Sequence, residues 1–200
     1  IAAGISDPYD NQIAQDQVID FRTARIEPQA QLLMPGYTVT LNNSQPSEVV
    51  LRSVNTDQVS FQLYQIDPLE LAKQRDWTNP LPANSTLLRS WNEQLSSPLN
   101  EYRNTRVKLD KDGKALPPGS YLLSMRHPNQ NDTSYYQLIV SPNNITLKLS
   151  ANELLAWVNS LSDGKPVANL TLEAVASDGT KLGRATSDAQ GIARFRLPKE

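Results

Sequence analysis

The sequence contains no cysteine, and this absence excludes several kinds of chemistry from its 200 residues. Without a thiol the chain can form no disulfide, thiolate metal site, cysteine nucleophile or internal thioester. It also has a single histidine, His127. A zinc site would therefore need carboxylates for almost all of its ligands, which suits zinc poorly. We predict that the chain holds no metal and no cofactor.

Neither sign of charge dominates, since 19 Lys and Arg against 21 Asp and Glu give a formal net charge of −2. A general nucleic-acid binder normally carries an excess of positive charge to displace counterions from phosphates. No run approaches the roughly 18 consecutive apolar residues of a membrane span. We predict no nucleic-acid partner and no direct membrane insertion of this segment. The chain opens at Ile1, without Met or a secretion signal, so we expect it to be cut from something longer.

Short runs of alternating apolar and polar residues dominate the chain. Such alternation, with polar residues and turn formers between the runs, is typical of all-β sandwiches, in which one face of each strand is buried. Both faces of the run at 135–140 are apolar, which predicts burial on both sides. The runs lie at residues 37–41, 59–63, 121–125, 135–140, 145–149, 170–174 and 193–197.

Asp-Gly pairs at 112–113, 163–164 and 178–179 predict tight hairpins, because Gly adopts positive φ without strain. One short helix at most is expected, from Asp67, a good cap, to Arg75. Residues 87–95, with Leu87, Leu88, Trp91 and Leu95, fit helical spacing or an irregular strand, and the sequence does not separate the two.

Two breaks divide the chain into three parts. One lies at Glu27-Pro28, after a polar stretch with one strand-like run at residues 18–21, and the other near Ser141-Pro142-Asn143-Asn144. We predict that residues 1–27 are the C-terminal strands of a preceding Ig-like domain or a linker. Residues 28–142 are long enough for one sandwich, and residues 143–200 are too few for a full seven-strand one. We expect the last part to be a second, truncated sandwich.

The order of these segments resembles the bacterial alpha-2-macroglobulin family. The resemblance covers about four fifths of the chain and implies tandem Ig-like or macroglobulin-like antiparallel sandwiches. Residues 7–11 and 18–23 resemble the closing strands of a bacterial Ig-like domain, with Asp10 where a Gly is usual. Asn169 likewise stands where the macroglobulin pattern usually has Gly. The macroglobulin resemblance is carried by residues 49–55, 58–66, 116–125 (LPPGSYLLSM), 138–142, 145–148, 155–159 (LAWVN), 163–169 (DGKPVAN) and 186–195 (TSDAQGIARF).

What the resemblance implies is a scaffold segment of a broad-spectrum endopeptidase inhibitor that traps proteases after they cut an exposed bait segment. Its partners would be the neighbouring domains of the same parent chain and, through the parent protein, the target proteases. Its place would be extracytoplasmic: periplasmic, anchored in the cell envelope or secreted. The alternative is an Ig-like module of a cell-surface adhesin or binding protein.

The residues with reactive chemistry give no catalytic, cofactor-binding or metal site. His127 has Asp132 and Ser134 near it in sequence, but proximity along a loop does not make a triad, and we expect a solvated loop histidine. The run from Asp110 to Gly113 begins like a calcium loop, but Tyr121 stands where the twelfth-position Glu is required. A hairpin turn is the better interpretation.

The tryptophans and arginines also have ordinary structural explanations. A sugar-binding platform is possible for Trp77, Trp91 and Trp157, but packing is the commoner role of tryptophan. We expect Trp157 in the core and Trp77 exposed. Arg194 and Arg196, with Arg184 across a hairpin, are expected to be solvated surface charges. The sequence therefore predicts a protein that is not an enzyme.

Overall fold

The computed structural model describes residues 1–73, 80–127 and 132–197. Of the described residues, 49% are in strands and 3% in a helix, which confirms the predicted all-β class. The strands are β1 (Gln29–Leu32), β2 (Thr38–Asn42), β3 (Glu48–Val54), β4 (Gln58–Ile66), β5 (Thr86–Gln94), β6 (Arg103–Lys108), β7 (Gly119–Arg126), β8 (Thr133–Ser141), β9 (Asn143–Leu149), β10 (Glu153–Ser160), β11 (Thr171–Val175), β12 (Lys181–Thr186) and β13 (Ile192–Arg196).

Two sheets enclose the larger core. One has the order β1-β3-β6 and the other the order β2-β8-β7-β4-β5. Every pairing in them is antiparallel except that of β2 with β8, which is parallel. In β4, Val59, Phe61 and Leu63 are almost fully buried and alternate with more polar side chains. This is the period-2 pattern of a strand with one face on a core.

Strand β7 is buried on both faces, as shown by Leu122 and Leu123, which are 2% and 0% exposed. Its outer face packs in a cluster with Ile66 and Leu71, and Leu71 belongs to the helix α1 (Pro68–Lys73). Burial on both sides was predicted for the run at 135–140. There Leu138 and Val140 of the inward face are buried, but the side chains of the outer face are only partly covered.

A second, smaller core lies between the sheet β13-β10-β9 and the pair β11-β12. Its fully buried side chains are small apart from Phe195. The predicted hairpin at Asp178-Gly179 joins β11 to β12, which pair with each other. The predicted hairpin at Asp163-Gly164 is present as a short one, in which Asn159 and Pro166 form an antiparallel bridge and the Ser160 amide donates to the Lys165 carbonyl at 2.9 Å. The turn at residues 112–113 instead connects β6 and β7, which belong to different sheets.

Three local predictions are settled by the structure. Helix α1 begins after Asp67, whose carboxylate accepts a hydrogen bond from the Leu69 amide at 2.8 Å. The predicted end of the helix at residue 75 lies outside the described residues. The segment at 86–94 is a strand, which decides between the two interpretations, and its pairing with β4 has an irregularity opposite Leu63 and Tyr64. The strand-like run at 18–21 is not a strand. In residues 1–27 the pairing is limited to one antiparallel bridge, between Ser6 and Gln12, with backbone hydrogen bonds on either side of it.

Candidate functional site

His127 was expected to be a solvated loop histidine, which is wrong, because its side chain is only 1% exposed. It directly follows β7, and its Nε2 lies 2.9 Å from the Thr56 hydroxyl oxygen. Burial lowers the pKa of the imidazole, because a charged ring would lose its hydration. Asp132 and Ser134, its neighbours in sequence, are exposed. Among the described residues, the structure thus joins His127 to Thr56 and does not bring Asp132 or Ser134 to it.

The Thr56 hydroxyl determines how the histidine bonds. Its oxygen lies 3.0 Å from the carbonyl oxygen of Val54 and 3.2 Å from that of Gln29. Carbonyls only accept, and a hydroxyl has one proton to donate. The arrangement that satisfies most groups has Thr56 donating to a carbonyl and His127 donating from Nε2 to Thr56. This network ties the ends of β3 and β7 to the start of β1.

The aspartates of the Asp-Gly turns accept hydrogen bonds from backbone amides of the same turn. Asp110 Oδ1 accepts hydrogen bonds from the amides of Asp112 and Lys114, at 2.9 and 3.0 Å. The bond from Lys114 is the largest cause of the lowered pKa of this carboxyl. Asp163 and Asp178 accept similar bonds from the amides two residues on. Within the described residues, no group of three His, Cys, Asp or Glu side chains could hold a metal ion.

The tryptophans differ from one another in environment. Trp91 stacks on Phe61 with ring centroids 5.2 Å apart, and the Arg89 guanidinium lies 4.1 Å above it. Trp157 was expected in the core, which is wrong, because it is 45% exposed. Its indole donates to the Gln190 carbonyl at 3.1 Å. Trp77 lies outside the described residues. The structure brings no two described tryptophans together as a platform.

The arginines of the last strands, Arg184, Arg194 and Arg196, are exposed as predicted, and two of them form ion pairs. Arg194 lies 3.2 Å from Glu153, and Arg184 lies 3.3 Å from Glu173. A hydrogen bond from Lys181 is the largest cause of the lowered pKa of Glu173. Exposed pairs of this kind contribute little to stability. These side chains do not gather into an anion site.

Two asparagines were missed by the sequence analysis. Asn55 donates to the Ile26 carbonyl at 2.7 Å, and the Ile26 amide donates to Asn100 Oδ1 at 2.9 Å. Both asparagines have positive φ, of 50° and 63°. Asn is a residue that tolerates this conformation. Together they fix the chain where it joins the larger core.

The junction between the two cores is short. Strand β8 ends at Ser141 and β9 begins at Asn143, so only Pro142 lies between them. The Pro142 carbonyl accepts a hydrogen bond from the Leu161 amide at 2.9 Å. The Asn143 amide donates to the Ser141 hydroxyl at 3.0 Å. Since proline fixes its own φ, this connection is held on both sides.

Known proteins confirm the resemblance. Residues 140–200 match the family model of the bacterial alpha-2-macroglobulin MG3 domain. None of the curated proteins matches the chain.

Solved alpha-2-macroglobulins share the fold. A native Escherichia coli chain spanning domains MG0-NIE-MG1 superposes with a TM-score of 0.70 at 17% identity, over 100% of this chain and 67% of that one. Salmonella alpha-2-macroglobulin reacted with methylamine gives a TM-score of 0.61 at 17% identity, over 100% of this chain and 12% of that one. Trypsin-activated Escherichia coli alpha-2-macroglobulin gives 0.60 at 19% identity, over 86% and 13%. At these identities the likeness shows the fold alone.

Proposed function

We propose that this chain is a scaffold segment of a bacterial alpha-2-macroglobulin-like protein that traps proteases after they cut it. The observation that carries the proposal is the family match of residues 140–200. The shared fold with alpha-2-macroglobulin chains along all 200 residues supports it. The segment itself catalyses nothing in this proposal. The family match favours this function over that of an adhesin module.

The proposed mechanism is mechanical. Two sandwiches, at 28–142 and 143–200, keep their shape and pass the movement of one part of the protein to the next. Residues 1–27 serve as the connection to the preceding domain. The short connection at Pro142 supports this role. A linker of one residue with hydrogen bonds to its neighbours allows the two sandwiches few relative orientations.

The proposed partners are the neighbouring domains of the same chain and, through the whole protein, the attacking proteases. The proposed location is outside the cytoplasm. In the described part of the chain, the only helix has six residues, far fewer than the roughly 20 that cross a bilayer.

The test uses the full-length protein encoded by the gene, incubated with trypsin. We expect one early cut, a change in mobility on a native gel, and loss of trypsin activity on a large protein substrate. Activity on a small peptide substrate should persist, because a small molecule still reaches an enclosed protease. Trypsin whose active-site serine has been blocked in advance is the control and should give neither cut nor mobility change. If digestion of the large substrate continues at its normal rate after the cut, the proposed function is wrong.

A further inference from the structure

A polar cleft lies on the outer face of the sheet β1-β3-β6. In this sheet Leu32 and Leu51 are opposed to each other and buried in the larger core. Successive side chains of a strand point to opposite faces, so Gln31 and Arg52, which are also opposed, point away from that core. Both are exposed. The cleft has a volume of about 390 Å³ and is lined by Gln29, Ala30, Gln31, Arg52 and Tyr102.

Arg52 is oriented by an aromatic ring and has no acceptor. Its guanidinium lies 4.4 Å from the centroid of the Tyr102 ring. The Tyr102 hydroxyl donates a hydrogen bond to Gln29 Oε1 at 3.2 Å, which fixes the ring in turn. Glu101, next to Tyr102 in sequence, pairs with Arg103 at 2.9 Å. Among the described residues Arg52 therefore has no carboxylate partner, and its guanidinium donates no hydrogen bond.

The charge around the cleft is positive. Two more cations, Arg106 and Lys108, share this face, because Val107 between them is buried in the core. Glu48 is the one acidic residue in the strands β1, β3 and β6, and it lies 4.0 Å from Arg106. The positive charge of Arg52 is therefore not compensated within the sheet, and it attracts a negatively charged partner.

We propose that this cleft binds an acidic peptide segment of a protein partner, with an Asp or Glu carboxylate of the peptide on the guanidinium of Arg52. A guanidinium presents parallel N–H donors that match the two oxygens of a carboxylate. The side-chain amides of Gln29 and Gln31 offer both donors and acceptors. They complement the N–H and C=O groups of a peptide backbone on either side of the bound carboxylate.

The composition of the cleft favours a peptide over a phosphate group. Phosphate presents acceptors, and proteins bind it with backbone N–H groups that converge at a helix N-terminus or with clustered arginines. Here a single guanidinium is flanked by two amides whose carbonyl oxygens are themselves acceptors. Three consecutive residues of β1, at 29–31, line the cleft, so it is elongated along the strand. This shape suits an extended segment.

Binding of a labelled peptide to the full-length protein tests the proposal. Fluorescein-labelled hexaglutamate is titrated at about 0.15 M salt and followed by fluorescence anisotropy, and hexaglutamine is the control peptide. We expect only hexaglutamate to bind. Arg52→Ala should weaken binding at least about tenfold, because it removes hydrogen bonds to a charged group. The matched control Arg106→Ala removes the same charge outside the cleft and should change the affinity by less than about twofold.

Two further variants separate the geometry of the cleft from its charge. Arg52→Lys keeps the charge but loses the planar donor pair, so we expect binding about fivefold weaker. Gln31→Glu keeps the size of the side chain and should abolish binding by like-charge repulsion. The proposal is wrong if hexaglutamate does not bind, if Arg52→Ala and Arg106→Ala lose affinity equally, or if either further variant binds as the wild type does.

Inorganic phosphate distinguishes a peptide site from a general anion site. Phosphate at the same molar concentration as the glutamate carboxylates should not displace the labelled peptide. Displacement would show that any anion occupies the cleft and would contradict the peptide assignment. These measurements involve no protease, so the inference stands or fails independently of the trapping function.

Discussion

Asn55 and Asn100, 45 residues apart in sequence, form two hydrogen bonds with each other. Asn55 Nδ2 donates to Asn100 Oδ1 at 2.9 Å, and the Asn100 amide donates to Asn55 Oδ1 at 2.8 Å. Each also bonds to the backbone of Ile26. Residues 18–25 are exposed and form no strand. The N-terminal segment is therefore first attached to the larger core at this pair of asparagines.

Replacing Asn100 tests this pair. Asn100→Ala removes the acceptor for Ile26 and Asn55, and we expect a loss of about 1–3 kcal/mol in the free energy of unfolding. Asn100→Asp is the matched control, because it keeps the acceptor oxygen and tolerates positive φ. Urea denaturation measures both, and hydrogen exchange at Ile26 reports whether the chain detaches. Equal losses in the two variants would show that the acceptor does not matter.

Gly191 lies in the last turn with a φ of +75°. A Cβ atom there would clash with the Val158 carbonyl oxygen and would also approach Pro166. We expect Gly191→Ala to lower the free energy of unfolding by more than about 3 kcal/mol, because backbone strain and a backbone clash add. Gly164→Ala is the control. Gly164 has a φ of +72° with open space around it, so it should lose only about 1 kcal/mol from strain.

Asn169 and Asp10 both have positive φ, of 61° and 65°. This explains how Asn169 can replace the Gly of the macroglobulin pattern, and Asp10 the Gly of the bacterial Ig-like pattern, that the sequence resembles. Asn and Asp are the non-glycine residues that adopt this conformation most readily. We expect Asn169→Gly to change the free energy of unfolding by less than about 0.5 kcal/mol. Asn169→Val should lower it by about 1–2 kcal/mol. Thermal denaturation distinguishes these outcomes, and a tolerated valine would contradict the explanation.

The sequence predicted what depends on local pattern. Alternation located β4 and β9, and Asp178-Gly179 marked a true hairpin, because these signals act over a few residues. What it could not predict depends on distant packing. His127 is buried by a partner 71 residues away. Trp157 lies in an apolar run but on the face that the second sheet does not cover.

Strand β9 also shows that alternation alone does not predict burial, because its apolar side chains Ile145, Leu147 and Leu149 are exposed. Its alternation predicts a strand with a buried face, and the strand is there. Whether that face is covered depends on which other strands pack against it. Alternation in one strand therefore predicts which side is suited to burial, and only the arrangement of the sheets decides whether it is buried.

His127 should make stability depend on pH. The buried imidazole has a pKa below its ordinary value of 6.5, so the unfolded chain takes up a proton first as the pH falls. Stability is full above about pH 6.5 and decreases as the pH falls through the folded-state pKa, with a slope of up to about 1.4 kcal/mol per pH unit. Urea denaturation between about pH 7 and pH 5 measures this slope.

The variant His127→Gln separates this effect from the carboxyl groups. Glutamine keeps a side-chain amide for the Thr56 hydroxyl but does not titrate, so its stability should be flat over the same range. The lowered pKa values of Asp110, Asp163 and Glu173 cause losses of stability only at more acidic pH, below their ordinary values of 3.8 and 4.5. If wild type and His127→Gln lose stability in parallel between about pH 7 and pH 5, the buried imidazole is not the cause.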